Sequence, residues 1–186
     1  MRADFKIVLD ACVLANYSVC DLFLKLAERP RLYLPRWSGE ILGEVSRVQS
    51  NKLDWPQRLV DSFRVALTEN FPEALVDDFD HLIPCLANDE KDRHVLAAAI
   101  RAGASVIVTF NTKDFPAESV DPWKVEICHP QDYLLALYSM APEVVVQKLN
   151  LIAREKEREV EDVILHLGKS VPAFTSHLIN ELELDL

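Results

Sequence analysis

The apolar positions along the chain change rhythm twice. Phe5 to Leu9 is a short continuous apolar run that stops at Asp10, which predicts a buried strand with a carboxylate at its end. Val19, Leu22, Phe23, Leu26 and Ala27 then recur at the helical period and close before Pro30. Ile41, Leu42, Val45 and Val48 predict a second helix over Ser38 to Val48, with Ser38 as its N-cap. A third is predicted from Pro56 to Glu69, with Leu59, Phe63, Ala66 and Leu67 as the buried stripe. Ala74 to Asp77 reads as a second short strand, and the turn-rich segment DDFDHLIP after it as a loop. Lys91 to Ala102 is alanine-rich and helical, with Gly103 as its stop. The β-branched run Ser105 to Thr109 and the shorter Val125 to Cys128 complete the strands.

From Pro130 the strands cease. Pro130 to Ser139, Pro142 to Glu157, Glu159 to Leu167 and Pro172 to Glu183 each carry apolar sets at i, i+3, i+4 spacing. Strands alternating with helices, followed by helices alone, predict a three-layer α/β/α unit around a central parallel sheet over residues 1–130. An all-helical C-terminal extension is expected over residues 131–186.

Composition narrows the function. At 186 residues and 49% apolar, the chain buries a real core and is neither disordered nor fibrous. With 20 Lys and Arg against 30 Asp and Glu, its net charge of −10 has the wrong sign for holding nucleic acid by bulk electrostatics. A polyanionic substrate would need a metal or a local cationic patch. The four glycines form neither GxGxxG nor GxxxxGK, which argues against phosphate cradles of those kinds. Cys12, Cys20, Cys85 and Cys128 show no zinc-type spacing. No signal peptide precedes them, and no uncharged run approaches the ~18 residues of a membrane span. Reduced thiols in a cytoplasmic protein are the expectation.

In open α/β sheets ligands bind beyond the carboxyl ends of the strands, where the strand order reverses. Asp10, Asp92 and Asp114 are expected at that edge, and Glu44 lies on a helix close to its apolar face. Each alone has an ordinary structural role: Asp10 as a cap, Asp92 as a dipole partner in a first helical turn, Asp114 in a turn, and Glu44 on a helix flank. Asp89 is expected to cap the Lys91 helix. None of the five histidines has spacing that demands a site, although His94 lies close to Asp92. Trp37, Trp55 and Trp123 are expected in core or interface positions.

Together, three blocks carry a resemblance: LDACVLAN at Leu9 to Asn16, GEVSR at Gly43 to Arg47, and DEKDRHVLAAAIRAGASVIVTFNTKDFP at Asp89 to Pro116. In this order they resemble the PIN-domain nucleases, in particular the VapC-type toxins of toxin–antitoxin pairs. The likeness spans roughly residues 5–130. It implies an acidic quartet at Asp10, Glu44, Asp92 and Asp114 that holds Mg²⁺ or Mn²⁺. Asp89 is a further carboxylate that either joins the metal shell or only caps its helix, and Thr109 and Asn111 are polar neighbours counted with the RNA-binding residues, Asn111 standing where many relatives have Asp. The implied activity is endoribonuclease cleavage of single-stranded or structured RNA by a metal-activated water. The implied partners are RNA, a cognate antitoxin and a second copy of the chain in a homodimer, with no membrane. Arg93 and Lys113, together with Arg36 and Arg47, are the candidate phosphate-binding cations. Two other readings stand beside this one. A non-catalytic PIN-fold binding module would keep the sheet without the metals. A haloacid dehalogenase-type phosphatase would use Asp10 as nucleophile, but it usually carries a second Asp where this chain has Cys12.

Overall fold

The computed structural model describes residues 4–184. Five parallel strands, β1 (Lys6–Leu9), β2 (Leu34–Ser38), β3 (Leu75–Val76), β4 (Val106–Val108) and β5 (Glu126–Cys128), form one sheet in the order β3-β2-β1-β4-β5. The chain starts at the centre, winds outward to β3, then returns to lay β4 on the other side of β1. The strand order therefore reverses between β1 and β4, where Leu9 is level with Val108. Ile7, Val8 and Leu9 of β1 and Val106, Ile107 and Val108 of β4 are all buried, as expected at the centre of a sheet covered on both faces.

The first crossover consists of α1 (Ala11–Leu14) and α2 (Tyr17–Ala27). Next come α3 (Gly39–Asn51) and α4 (Gln57–Asn70), then α5 (Arg93–Ala102), then the single turn α6 (Ala117–Val120). Ser38 caps α3 as expected, its hydroxyl accepting from the Ile41 amide at 3.1 Å. α5 stops in a Schellman motif at Gly103, which takes φ +63° while its amide reaches the Ile100 carbonyl and the Ala104 amide reaches that of Ala99.

One strand was not anticipated, and two expectations need correction. Leu34–Ser38 is an internal strand although it contains Pro35, a residue normally barred from such positions. The alternation of its backbone explains the exception. The Leu34 amide donates to Phe5 on the β1 side and the Trp37 amide to Ala74 on the β3 side, so the Pro35 nitrogen faces β3 before β3 begins. No ladder bond is lost. The buried face of α4 is Val60, Phe63 and Leu67; Leu59 and Ala66 point to solvent. The segment after β3 is not a bare loop but contains a 3₁₀ turn at Asp80–Cys85.

The C-terminal helices are α7 (Pro130–Met140), α8 (Pro142–Glu155), α9 (Val160–Gly168) and α10 (Pro172–Glu181). α8 and α9 lie on α2. Tyr133 of α7 stacks on Phe23 of α2 with ring centroids 6.1 Å apart, and meets Tyr33 edge-on at 5.9 Å. One continuous apolar cluster thus runs from Ile7 in β1 to Phe174 and Leu178 in α10. Lys148 of α8 is buried because its ammonium donates to the carbonyls of Glu28 and Arg29 at the end of α2.

Candidate active site

Parallel topology dictates where the carboxylates stand. Asp10 leaves β1 at its carboxyl end, and α3 begins at that same edge because it follows β2. α5 also begins there because it must run down the sheet to feed β4. Four separate elements therefore deliver Asp10, Glu44, Asp92 and Asp114 to one rim, next to the reversal between β1 and β4.

Asp10 is the most constrained of them and is 3% exposed. As the N-cap of α1, it accepts from the Ala11 amide at 2.6 Å through Oδ1. Its Oδ2 accepts from the Thr109 hydroxyl at 2.7 Å and from the Cys12 thiol at 3.1 Å. Thr109, fully buried beyond β4, in turn accepts from the Asn111 amide at 2.9 Å, so the two central strands share one hydrogen-bond network. Burial, reinforced by the Asp10 charge, pushes the Cys12 thiol up to about 12, which keeps it a protonated donor.

Asp92 is placed differently. It stands at the N-cap position of α5, not inside the first helical turn as expected, and its side chain makes no cap bond. Asp89 caps the short 3₁₀ turn Glu90–Asp92 through the Lys91 amide at 3.1 Å, not α5 itself. Asp92 is pushed up to about 6 by burial, and then by the charges of Asp10, Asp114, Asp89 and Glu44. Five carboxylates therefore sense one another at this rim. The Asp114 carbonyl accepts from the Asp89 amide at 3.2 Å, which ties the two acidic turns together.

Glu44 faces His94 from α3, its Oε1 lying 3.5 Å from Nε2, while Glu40 one turn earlier lies 3.8 Å from Nδ1. Burial alone would lower the His94 pKa, but the facing Glu44, Glu40 and Asp10 carboxylates outweigh it, and the net shift is upward. His94 is buried against the α3 acids. The sequence marked it only by its nearness to Asp92. The other unanticipated neighbour is Asn88, buried with neither side-chain amide atom hydrogen-bonded. A buried Asn immediately before an acidic turn is the one signal that could have flagged it.

The candidate cations are less available than expected. Arg47 lies 3.5 Å from Glu44. The Arg93 Nε donates to the Asn88 carbonyl at 3.3 Å, and Arg36 donates to the Pro35 carbonyl at 2.7 Å. Lys113 and Asn111 are exposed, whereas Thr109 is fully buried with its hydroxyl on Asp10 and is not placed to touch RNA as expected. Among the described residues, no three His, Cys, Asp or Glu side chains are close enough to grip an ion together. Like charges at a shared rim repel, which favours such an open spread. The oxygen-only donor set suits a hard divalent cation.

A family model described as "PIN domain" matches residues 4–113, well over half of the chain. The chain belongs to the PIN-domain family. The match includes Asp10, Glu44 and Asp92 and ends one residue before Asp114. The PIN chain is also similar to a protein of Mycobacterium tuberculosis (strain ATCC 25618 / H37Rv) named "Putative ribonuclease VapC50". The two are 34% identical over 131 residues, which covers 67% of this chain and 77% of that protein. No solved structure matches the chain. Among the described residues of this PIN protein, no helix is long and apolar enough to cross a membrane.

The raised carboxyl of Asp92 makes a prediction for the metal-free protein. An ordinary Asp titrates near 3.8, whereas Asp92 in the fold titrates near 6, so the folded state binds the extra proton between those values. Its contribution to stability is therefore lost as pH rises through that window. In chelator, Asp92→Asn should melt above wild type at pH 7, with the gap closing as pH falls towards 4. Scanning calorimetry across that range checks it; a gap constant with pH would contradict the titration.

Proposed function

We propose that this PIN-domain protein is a Mg²⁺- or Mn²⁺-dependent endoribonuclease and the toxin of a toxin–antitoxin pair. The observation that carries the reading is the convergence of Asp10, Glu44, Asp92 and Asp114 from four elements onto the rim where the strand order reverses. The similarity to a protein named as a ribonuclease supports it. Asp10, Glu44, Asp92 and Asp114 would hold the cation, with Asp89 at the margin of the shell. Bound there, it would polarise a phosphodiester and lower the pKa of water at the site.

The chain's own groups set the conditions for that step. Thr109, Cys12 and the Ala11 amide fix the rotamer of Asp10, so its free lone pairs keep one direction. His94 restrains Glu44 on the opposite wall. Asp92 has no hydrogen-bond donor holding it at the helix start and is free to turn towards a cation. No imidazole or thiol is placed as a nucleophile: His94 is buried between glutamates, and Cys12 is held as a thiol. A cognate antitoxin covering the acidic rim and a homodimer belong to the same proposal, through the resemblance alone.

The test is cleavage of total RNA by the purified full chain in Mg²⁺ or Mn²⁺, with an EDTA control. Discrete cuts that disappear in EDTA are expected, together with a melting temperature that rises on adding Mg²⁺ without RNA. Calorimetry showing no metal binding by a well-folded protein that cuts nothing would instead support the non-catalytic binding module.

A further inference from the structure

The described surface contains a groove whose charge is opposite to that of the molecule. It starts at Cys12, whose thiol contacts Asp10, and runs past Asn16 and Tyr17 between the end of α3 and the α9–α10 junction. This part encloses about 510 Å³. Through the shared residues Tyr17, Ser18 and His166 it continues into a second depression of about 410 Å³, which reaches Lys156 and Arg158 beyond the end of α8. Lys52, Lys156, Arg158 and Lys169 line the two parts, and no Asp or Glu does, in a chain where acids outnumber bases by 30 to 20. That segregation sets it apart from an ordinary surface of mixed sign.

The cations are also unspent. Among the described residues, Lys52, Arg158 and Lys169 are exposed and form no ion pair, whereas Arg47 at the acidic rim already faces Glu44. Lys156 has a different task. It pairs with Asp21 and lies over the Tyr17 ring, 4.4 Å from the centroid. Tyr17 nevertheless stays 58% exposed, and its edge-on contact with Trp55 at 6.4 Å holds the ring upright at the groove. Trp55 thus buttresses an exposed aromatic, and is not simply a core residue. The wall is fixed where it matters, because the Asn16 amide donates to the Ser170 hydroxyl at 2.9 Å and ties the α1–α2 turn to the start of α10.

Free cations beside an exposed aromatic ring are what a single strand of nucleic acid requires: charge for the phosphates and a stacking face for a base. We propose that this groove, half of whose wall is the C-terminal helical part, carries single-stranded RNA into the acidic rim, with Lys52, Arg158 and Lys169 on phosphates and Tyr17 stacking on a base. The inference rests on the ribonuclease reading of the rim and adds the path of its substrate. It also resolves the charge problem of a −10 protein acting on a polyanion.

The test measures binding apart from cleavage. In an Asp10→Asn background, fluorescence anisotropy follows labelled oligouridylate across a salt series. Wild-type groove charges are compared with Lys52→Glu/Arg158→Glu/Lys169→Glu and with a control of equal charge change, Arg58→Glu/Arg64→Glu/Lys124→Glu. The groove triple should weaken binding roughly 100-fold and flatten the log–log salt slope by about 2, while the control changes it little. Tyr17→Ala should weaken it roughly 10-fold. Should the triple fail to fold, Lys52→Gln/Lys169→Gln replaces it, with the same direction of effect. Equal losses in groove and control, or undiminished binding by the groove triple, would overturn the path while leaving metal-dependent cutting by wild type intact. RNA binding retained, with loss of a labelled polyglutamate peptide that wild type binds, would reassign the groove to an acidic protein segment and also overturn it. A wild-type chain that neither binds nor cuts RNA would remove both the path and the ribonuclease reading.

Discussion

Asp10→Asn should reduce RNA cleavage by roughly 1,000-fold or more without unfolding the protein, because it removes a charge and little else. In the fold, Asp10 accepts three hydrogen bonds, from the Ala11 amide, the Thr109 hydroxyl and the Cys12 thiol. An Asn can keep its oxygen on the Ala11 amide and turn its NH₂ towards Thr109 and Cys12, both of which can also accept. The structural cost is then about 1 kcal/mol. The loss falls on cation affinity, since a neutral amide replaces an anionic oxygen at a site that favours hard anionic donors. Asp92→Asn should silence cleavage to a similar degree and differ in stability, since Asp92 has no cap bond to lose and four carboxylates to be relieved of. Initial rates on one RNA, alongside circular dichroism melts, separate the two. Cutting at the wild-type rate by either variant would dismiss the carboxylates as metal ligands.

Phe174→Ala is the second large effect, on stability. Phe174 is fully buried in α10, well beyond the last strand, yet belongs to the same apolar cluster as β1. Removing its ring should cost about 3–5 kcal/mol. α10 lies on α7 and α9, and α7 stacks Tyr133 on Phe23 of the first long helix, so the loss should lower a single unfolding transition for the whole chain. A melt that splits into two steps, with only the later residues destabilised, would show that residues 131–186 fold as a separate unit.

How far the sequence reached depended on whether a signal was local. Strand β4, helix α5 and the Gly103 stop lie in one uninterrupted block, where β-branched residues, alanines and a positive-φ glycine agree with one another. Strand β2 was hidden because Pro35 breaks the usual rule for internal strands. The reason it is tolerated lies in a neighbour 40 residues away that starts too late to need its amide. The stripe of α4 was misplaced by one position because Leu59 is apolar yet faces solvent. The acidic residues were legible as types at strand ends, but most of their partners were not: the Thr109 hydroxyl on Asp10, and the imidazole between Glu40 and Glu44, come from segments far apart in the chain. The cationic groove was the least legible, since Lys52, Arg158 and Lys169 are scattered along the chain and are brought to one groove only by folding.

The two margins of the sheet bear on what kind of partner can dock. β3 presents two residues and β5 three, and the longer β2 turns its proline nitrogen outward where β3 has not yet begun. Each margin therefore offers a visiting strand only two or three residues of backbone, too short a template for edge-to-edge aggregation or for recognition by strand addition. A protein partner of this chain would have to read its side chains, through a helix or an extended segment laid across a groove.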